Sequence, residues 1–159
     1  MIRRDGAQKL TLDAVAAEAG VSKGGILYHF ATKRALVDGL LERWLEDFDG
    51  RLEASEDPLG EYVRCSDLQD ADPDVTASEF GMLAGMIDDP RVLAGVRAFQ
   101  EKWMRRMLAG PIAPEDAWLV RLAADGLWYA DLLGLAAPQR DERRALLARL
   151  LALAGSGTR

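Results

Sequence analysis

Two short runs with helical apolar spacing flank Gly20, and that arrangement constrains the first part of the chain more than any other feature. In the segment TLDAVAAEAGVSKGGILYHFATK, Thr11 is placed to cap a helix reaching about Ala19, with Leu12, Val15, Ala16 and Ala19 on one face. Gly20 can take the left-handed conformation that ends a helix, and Val21 is expected to plug the corner. Ser22 caps a second helix, Lys23 to about His29. Its buried side is expected to be Ile26, Leu27 and Phe30, which leaves Lys23, Gly24, Gly25, Tyr28 and His29 for another surface. Thr32 caps a third helix directly afterwards.

Two helices meeting across a tight glycine turn make a helix-turn-helix, whose second helix can enter the major groove of DNA. Gly24 and Gly25 remove bulk where that helix would approach the duplex, although each glycine costs a helix about 1 kcal/mol against alanine. Lys23 and Lys33 can each neutralise a phosphate, and the Tyr28 hydroxyl can donate to one. Thr11, Ser22 and Thr32 mark helix N-termini, which attract anions. His29 has a second reading, as a helix-end histidine meeting nearby carbonyls.

From Leu10 to Val37 the run LTLDAVAAEAGVSKGGILYHFATKRALV resembles the DNA-binding region of the TetR family of bacterial transcriptional regulators, with the turn GVSKG, the segment YHF and the TK-initiated helix together at the family's spacing. The resemblance implies phosphate contacts from Tyr28 and Lys33, and Lys23 to Gly25 with His29 at the groove. It also implies a full amphipathic helix ahead of this region, whereas only MIRRDGAQ precedes it here and Gly6 would end anything begun at Met1. The expectation is that most of that helix is missing through a late start site or a chain given from where it becomes ordered, so that an upstream-extended chain binds DNA more tightly and melts higher.

The net charge of -6 looks wrong for a DNA binder until it is divided along the chain. Met1 to Val37 holds six Lys or Arg against three Asp or Glu, a net +3, and the rest holds fourteen against twenty-three, a net -9. A basic head can engage phosphate while an acidic body discourages nonspecific wrapping. No run approaches the roughly 20 apolar residues of a membrane span, and the start lacks signal-peptide patterning, so no membrane role and a cytoplasmic location are expected. Cys65, the only cysteine of 159 residues, excludes an internal disulfide and reads first as a packing thiol.

Beyond the head, proline and glycine punctuate further helices: about 33–53, one starting at Asp57 and Pro58, about 74–87, 89–109, 115–135 and 139–154. No alternating β-branched run competes, so the fold class is all-α, with a head over 1–45 and a helical body over 46–155. In the 33–53 helix, Leu36, Val37, Leu40, Leu41, Trp44, Leu45, Phe48 and Leu52 hold one stripe. Met82, Met86, Phe99, Trp103, Met107, Trp118 and Trp128 suit either a core or a pocket for a small hydrophobic effector, with Arg97, Arg105 or Asp125 as polar anchors. Leu119, Leu122, Ala123, Gly126 and Leu127, with Leu146, Leu147 and Leu150 of the last helix, suit a dimer interface. TetR resemblance implies a four-helix bundle there between twofold mates.

Enzyme chemistry has little support. His29 is the single histidine, so there is no catalytic triad, and no zinc set or phosphate loop is present. Asp67, Asp70, Asp72 and Asp74 lack the glycine and glutamate of a calcium loop and read as a solvated acidic loop. The expected protein is a ligand-responsive repressor that binds a pseudo-palindromic operator in double-stranded DNA as a homodimer, without cofactor or metal. The alternative is a helical dimerisation or small-molecule-binding module that has lost DNA binding.

Overall fold

The computed structural model describes residues 11–69, Glu79 and 90–155. Among them are seven helices and no strand: α1 (Leu12–Ala19), α2 (Lys23–His29), α3 (Lys33–Ala54), α4 (Pro58–Cys65), α5 (Pro90–Leu108), α6 (Pro114–Leu133) and α7 (Arg140–Ala154). The expected 74–87 helix, Met82 and Met86, and the segment ahead of Leu10 lie outside the described residues. The chain divides into two compact units, Met1–Glu46 with Asp72–Val96, and Asp47–Ala71 with Arg97–Arg159.

Helix ends in the first unit follow local hydrogen bonding. Thr11 Oγ1 accepts from Ala14 N–H at 3.2 Å, Ser22 Oγ from Gly25 N–H at 3.0 Å and Thr32 Oγ1 from Ala35 N–H at 3.0 Å. Each cap satisfies one N–H that the helix itself cannot. Gly20 closes α1 with φ +67°: its N–H reaches Ala17 O, and Val21 N–H reaches Ala16 O at 3.0 Å, a Schellman ending. Because these backbone bonds already fix the corner, Val21 is not the expected plug and remains 48% exposed. Leu36 and Leu41 are buried on α3, and Gly39 lets the Phe30 ring lie against the helix, since a Cβ there would sit 2.9 Å from Phe30 Cε1. Trp44 Nε1 donates to the buried Glu79 at 3.3 Å.

In the second unit, α4, α6 and α7 pack mutually. Ala117, Val120 and Ala124 of α6 are wholly buried, and their small side chains let neighbouring backbones approach. Leu52, Val63 and Trp103 are also sealed from solvent. Trp103 Nε1 donates to Asp49 Oδ1 at 2.8 Å, while the Arg106 guanidinium lies 4.5 Å from the indole centroid. Of the expected solvated acidic loop only Asp67 is described, and it is half-buried and receives Arg143 Nε at 2.8 Å, whereas Asp70, Asp72 and Asp74 lie outside the described residues. Arg143, 2% exposed, also donates from Nη1 to Asp131 Oδ1 at 2.9 Å, and its Nη2 bridges both carboxylates. One buried cation thereby ties α6 and α7 to the turn after α4.

Candidate nucleic-acid interface

On α2, rotation of about 100° per residue separates the side chains into two sets. Ile26 and Phe30 fall within about 40° of each other and are half-buried. Leu27 lies at the rim of that face, so it is exposed and not part of the buried side. Tyr28 points the opposite way and is 86% exposed, with its ring edge-on to His29 at 5.1 Å between centroids. Lys23, Gly24, Gly25, His29 and Lys33 are exposed as well.

The two glycines are informative because nothing among the described residues demands them. Neither has a positive φ, and an added Cβ would meet only Ser22 Oγ, at 3.8 Å from Gly24 and 3.4 Å from Gly25. Both distances are ordinary contact. Helix propensity favours alanine at both positions, so the two glycines leave this exposed turn bare of side chains at a cost to the helix. Exposed on the same head are the Tyr28 hydroxyl and the Lys33 ammonium, groups of the kind that can donate to phosphate, and Thr11, Ser22 and Thr32 cap helix N-termini.

Residues 1–40 match the model of the bacterial regulatory proteins of the tetR family, and residues 56–155 match the tetracyclin repressor-like C-terminal domain. The chain belongs to the TetR family. No curated protein matches it. As a TetR protein it is a DNA-binding transcriptional regulator, with the helix-turn-helix of α1 and α2 inside the N-terminal match.

One charged residue of this TetR head is absent from the set that spacing suggests. Asp13, in the first turn of α1, holds the Lys23 ammonium at 2.9 and 3.0 Å through its two oxygens. From sequence, an acid there reads as a helix-dipole partner. Ten residues of separation carry no signal of a pair with Lys23.

The residues suggested for pocket and interface separate by burial. Phe99, Trp103, Met107 and Trp128 are buried in the second unit, whereas Trp118 is exposed. Leu119, Leu122 and Gly126 face solvent and Ala123 is half-buried, but Leu127 and Leu150 are buried in the core of the second unit, which leaves them little exposed surface. Leu146 and Leu147 are half-buried. Of the suggested anchors, Arg97 and Arg105 are exposed.

Asp125 sits in a polar cluster: it accepts from Tyr62 Oη at 2.6 Å and pairs with Arg121 at 2.8 Å, and Gln100 Nε2 donates to Tyr62 Oη at 2.8 Å. Burial raises the Asp125 carboxyl above its ordinary range. Burial, then the neighbouring Asp125 charge, pushes the Tyr62 phenol up. Arg121 Nε is buried without an acceptor. Among the described residues no group of His, Cys, Asp and Glu could hold a metal, and no helix is long and apolar enough to cross a membrane.

Proposed function

We propose that this TetR protein is a cytoplasmic, ligand-responsive repressor that grips a pseudo-palindromic operator as a twofold homodimer, with residues 1–45 as its reading head and 46–155 as its effector and dimerisation body. The observation that carries the dimer is the outer face of α6. Trp118, Leu119, Leu122, Tyr129 and Leu133 are exposed there, with Leu122 at 56%, and a Cβ on Gly126 in their midst would meet nothing within 4 Å. An apolar strip of this kind marks an interaction site rather than a solvent face. In a twofold dimer, two recognition helices can occupy successive major grooves of a pseudo-palindromic site. The exposed face of α7 offers Ala145, Ala148 and Ala152, which suit close helix approach.

The effector reading rests on the aromatic and methionine-rich interior of the body and on the unused Arg121 Nε–H, which suits an apolar molecule carrying one acceptor. By differential affinity for two dimer states, such a molecule would change the spacing of the heads and release the operator. α3 begins at Lys33, among the phosphate donors, and is the natural lever.

The dimer is tested by Gly126→Leu. It has open space in the subunit, so melting of the isolated subunit is preserved while the α6 face is blocked. Light scattering at micromolar concentration is expected to show a dimer for the parent and a monomer for the variant. A parent monomer, or an undisturbed variant dimer, refutes this interface. Selection of duplexes from a random pool, with and without hydrophobic ligands, tests operator and effector together: a palindromic motif lost on ligand addition is expected, and a motif indifferent to every ligand counts against the response.

A further inference from the structure

Lys23 occupies the first position of α2, where a cation opposes the helix dipole, so its charge does not serve the helix. Its value lies in what it can meet outside. Yet Asp13 reaches across from α1 and places both carboxylate oxygens on the ammonium, at 2.9 and 3.0 Å. The Asp13 carboxylate is not the cap of α1, a task done by Thr11 Oγ1. Both side chains are largely exposed, Lys23 at 61% and Asp13 at 65%, and such pairs contribute little to stability. The pair's main consequence is electrostatic: it cancels one positive charge on the first turn of α2, which carries the Ser22 cap, Gly24 and Gly25.

We infer that Asp13 is a specificity-determining residue, an internal counter-ion that keeps the Lys23 charge out of sequence-independent phosphate contacts and so lowers affinity for non-cognate DNA. Each lysine that neutralises a phosphate releases condensed counterions, which strengthens binding to any sequence alike. Lys23 held by Asp13 adds nothing to that term. At a cognate site, an amino group on a base edge, such as that of cytosine, gives the carboxylate another donor and frees Lys23 for the backbone. Discrimination then comes from exchanging one partner for two.

The inference rests on DNA binding by the head, and a random-sequence 20-base-pair duplex tests both, by anisotropy between 50 and 300 mM salt. Asp13→Asn is expected to bind that duplex roughly three- to tenfold more tightly at 0.1 M salt, with a log–log salt slope steeper by about 0.9. The double variant Asp13→Asn, Lys23→Met keeps the parent's net charge and is expected to return to the parent's slope. An Asp13→Asn slope equal to or shallower than the parent's overturns the inference. So does a double-variant slope shallower than the parent's by about 0.9, because Lys23 would then already be on phosphate in the parent. A parent with no salt-dependent binding overturns the DNA-binding reading as well. Far-UV circular dichroism of each variant confirms that the helices persist, as expected for an exposed pair.

Discussion

Replacing Gly24 and Gly25 with alanine is expected to move stability and DNA binding in opposite directions. In a helix interior each change gains about 0.8–1.0 kcal/mol of helix propensity. Neither residue has the positive φ that would make alanine strained, and the nearest atom to either new Cβ is Ser22 Oγ, at 3.8 and 3.4 Å. The Ser22 cap on Gly25 N–H is therefore kept. With both positions in the first turn, where fewer helical bonds depend on them, the double variant should gain about 1–2 kcal/mol, which for a chain of this size is a rise of roughly 2–8 °C in Tm. Two methyl groups then stand where the groove floor or backbone would approach, and crowding of that kind costs about 1–3 kcal/mol, or a roughly 5- to 150-fold loss of affinity. Thermal unfolding followed at 222 nm gives the first quantity and anisotropy on a selected operator the second. A variant that is more stable and binds as well as the parent refutes the reasoning, because the glycines would then answer to no outside surface. A variant that is less stable refutes the geometry at Ser22.

Arg143→Ala is expected to leave the Asp67 and Asp131 carboxylates facing each other without their shared cation, at a cost of about 3 kcal/mol and roughly 6–12 °C in Tm; a shift of less than 2 °C would mean that the two acids are already solvated. Acid lability is expected from Asp49 and Glu53. The Lys102 ammonium holds the Asp49 carboxyl below its ordinary 3.8, against a smaller opposing effect of burial, and the Arg106 guanidinium, then Lys102, holds Glu53 below 4.5. Because the folded values are depressed, the unfolded chain binds more protons as pH falls, so this stabilisation is complete above about 4.5 and is lost as pH drops through the folded values. Urea midpoints measured from pH 6 to pH 3 should fall, and Asp49→Asn should flatten that fall; an unchanged slope would remove Asp49 from the account.

Short-range order is legible in the sequence alone. Thr11, Gly20, Ser22, Thr32 and Pro58 mark helix ends because caps and left-handed turns are made within four or five residues, and the outward set Lys23, Gly24, Gly25, Tyr28, His29 follows from rotation about one short axis. Those residues sufficed to indicate the helix-turn-helix and the family. Helix rotation by itself assigned Leu27 less securely, because a residue at the rim of a face goes in or out according to what packs beside it.

Tertiary structure alone decided the rest. Leucine-rich helices such as α6 and α7 are apolar on more than one side, so periodicity cannot choose which leucines go inside: packing buried Leu127 of α6 and Leu150 of α7 and left Leu119 and Leu122 of α6 outside. Pairs between distant positions are likewise silent in sequence. Asp67 meets Arg143 across 76 residues, and Asp13 meets Lys23 across ten, only because folding brings their helices side by side. Local hydrogen bonds and the 3.6-residue repeat determine the elements. Which charges cancel, and which apolar faces stay uncovered, is set by the neighbours that each element finds in space.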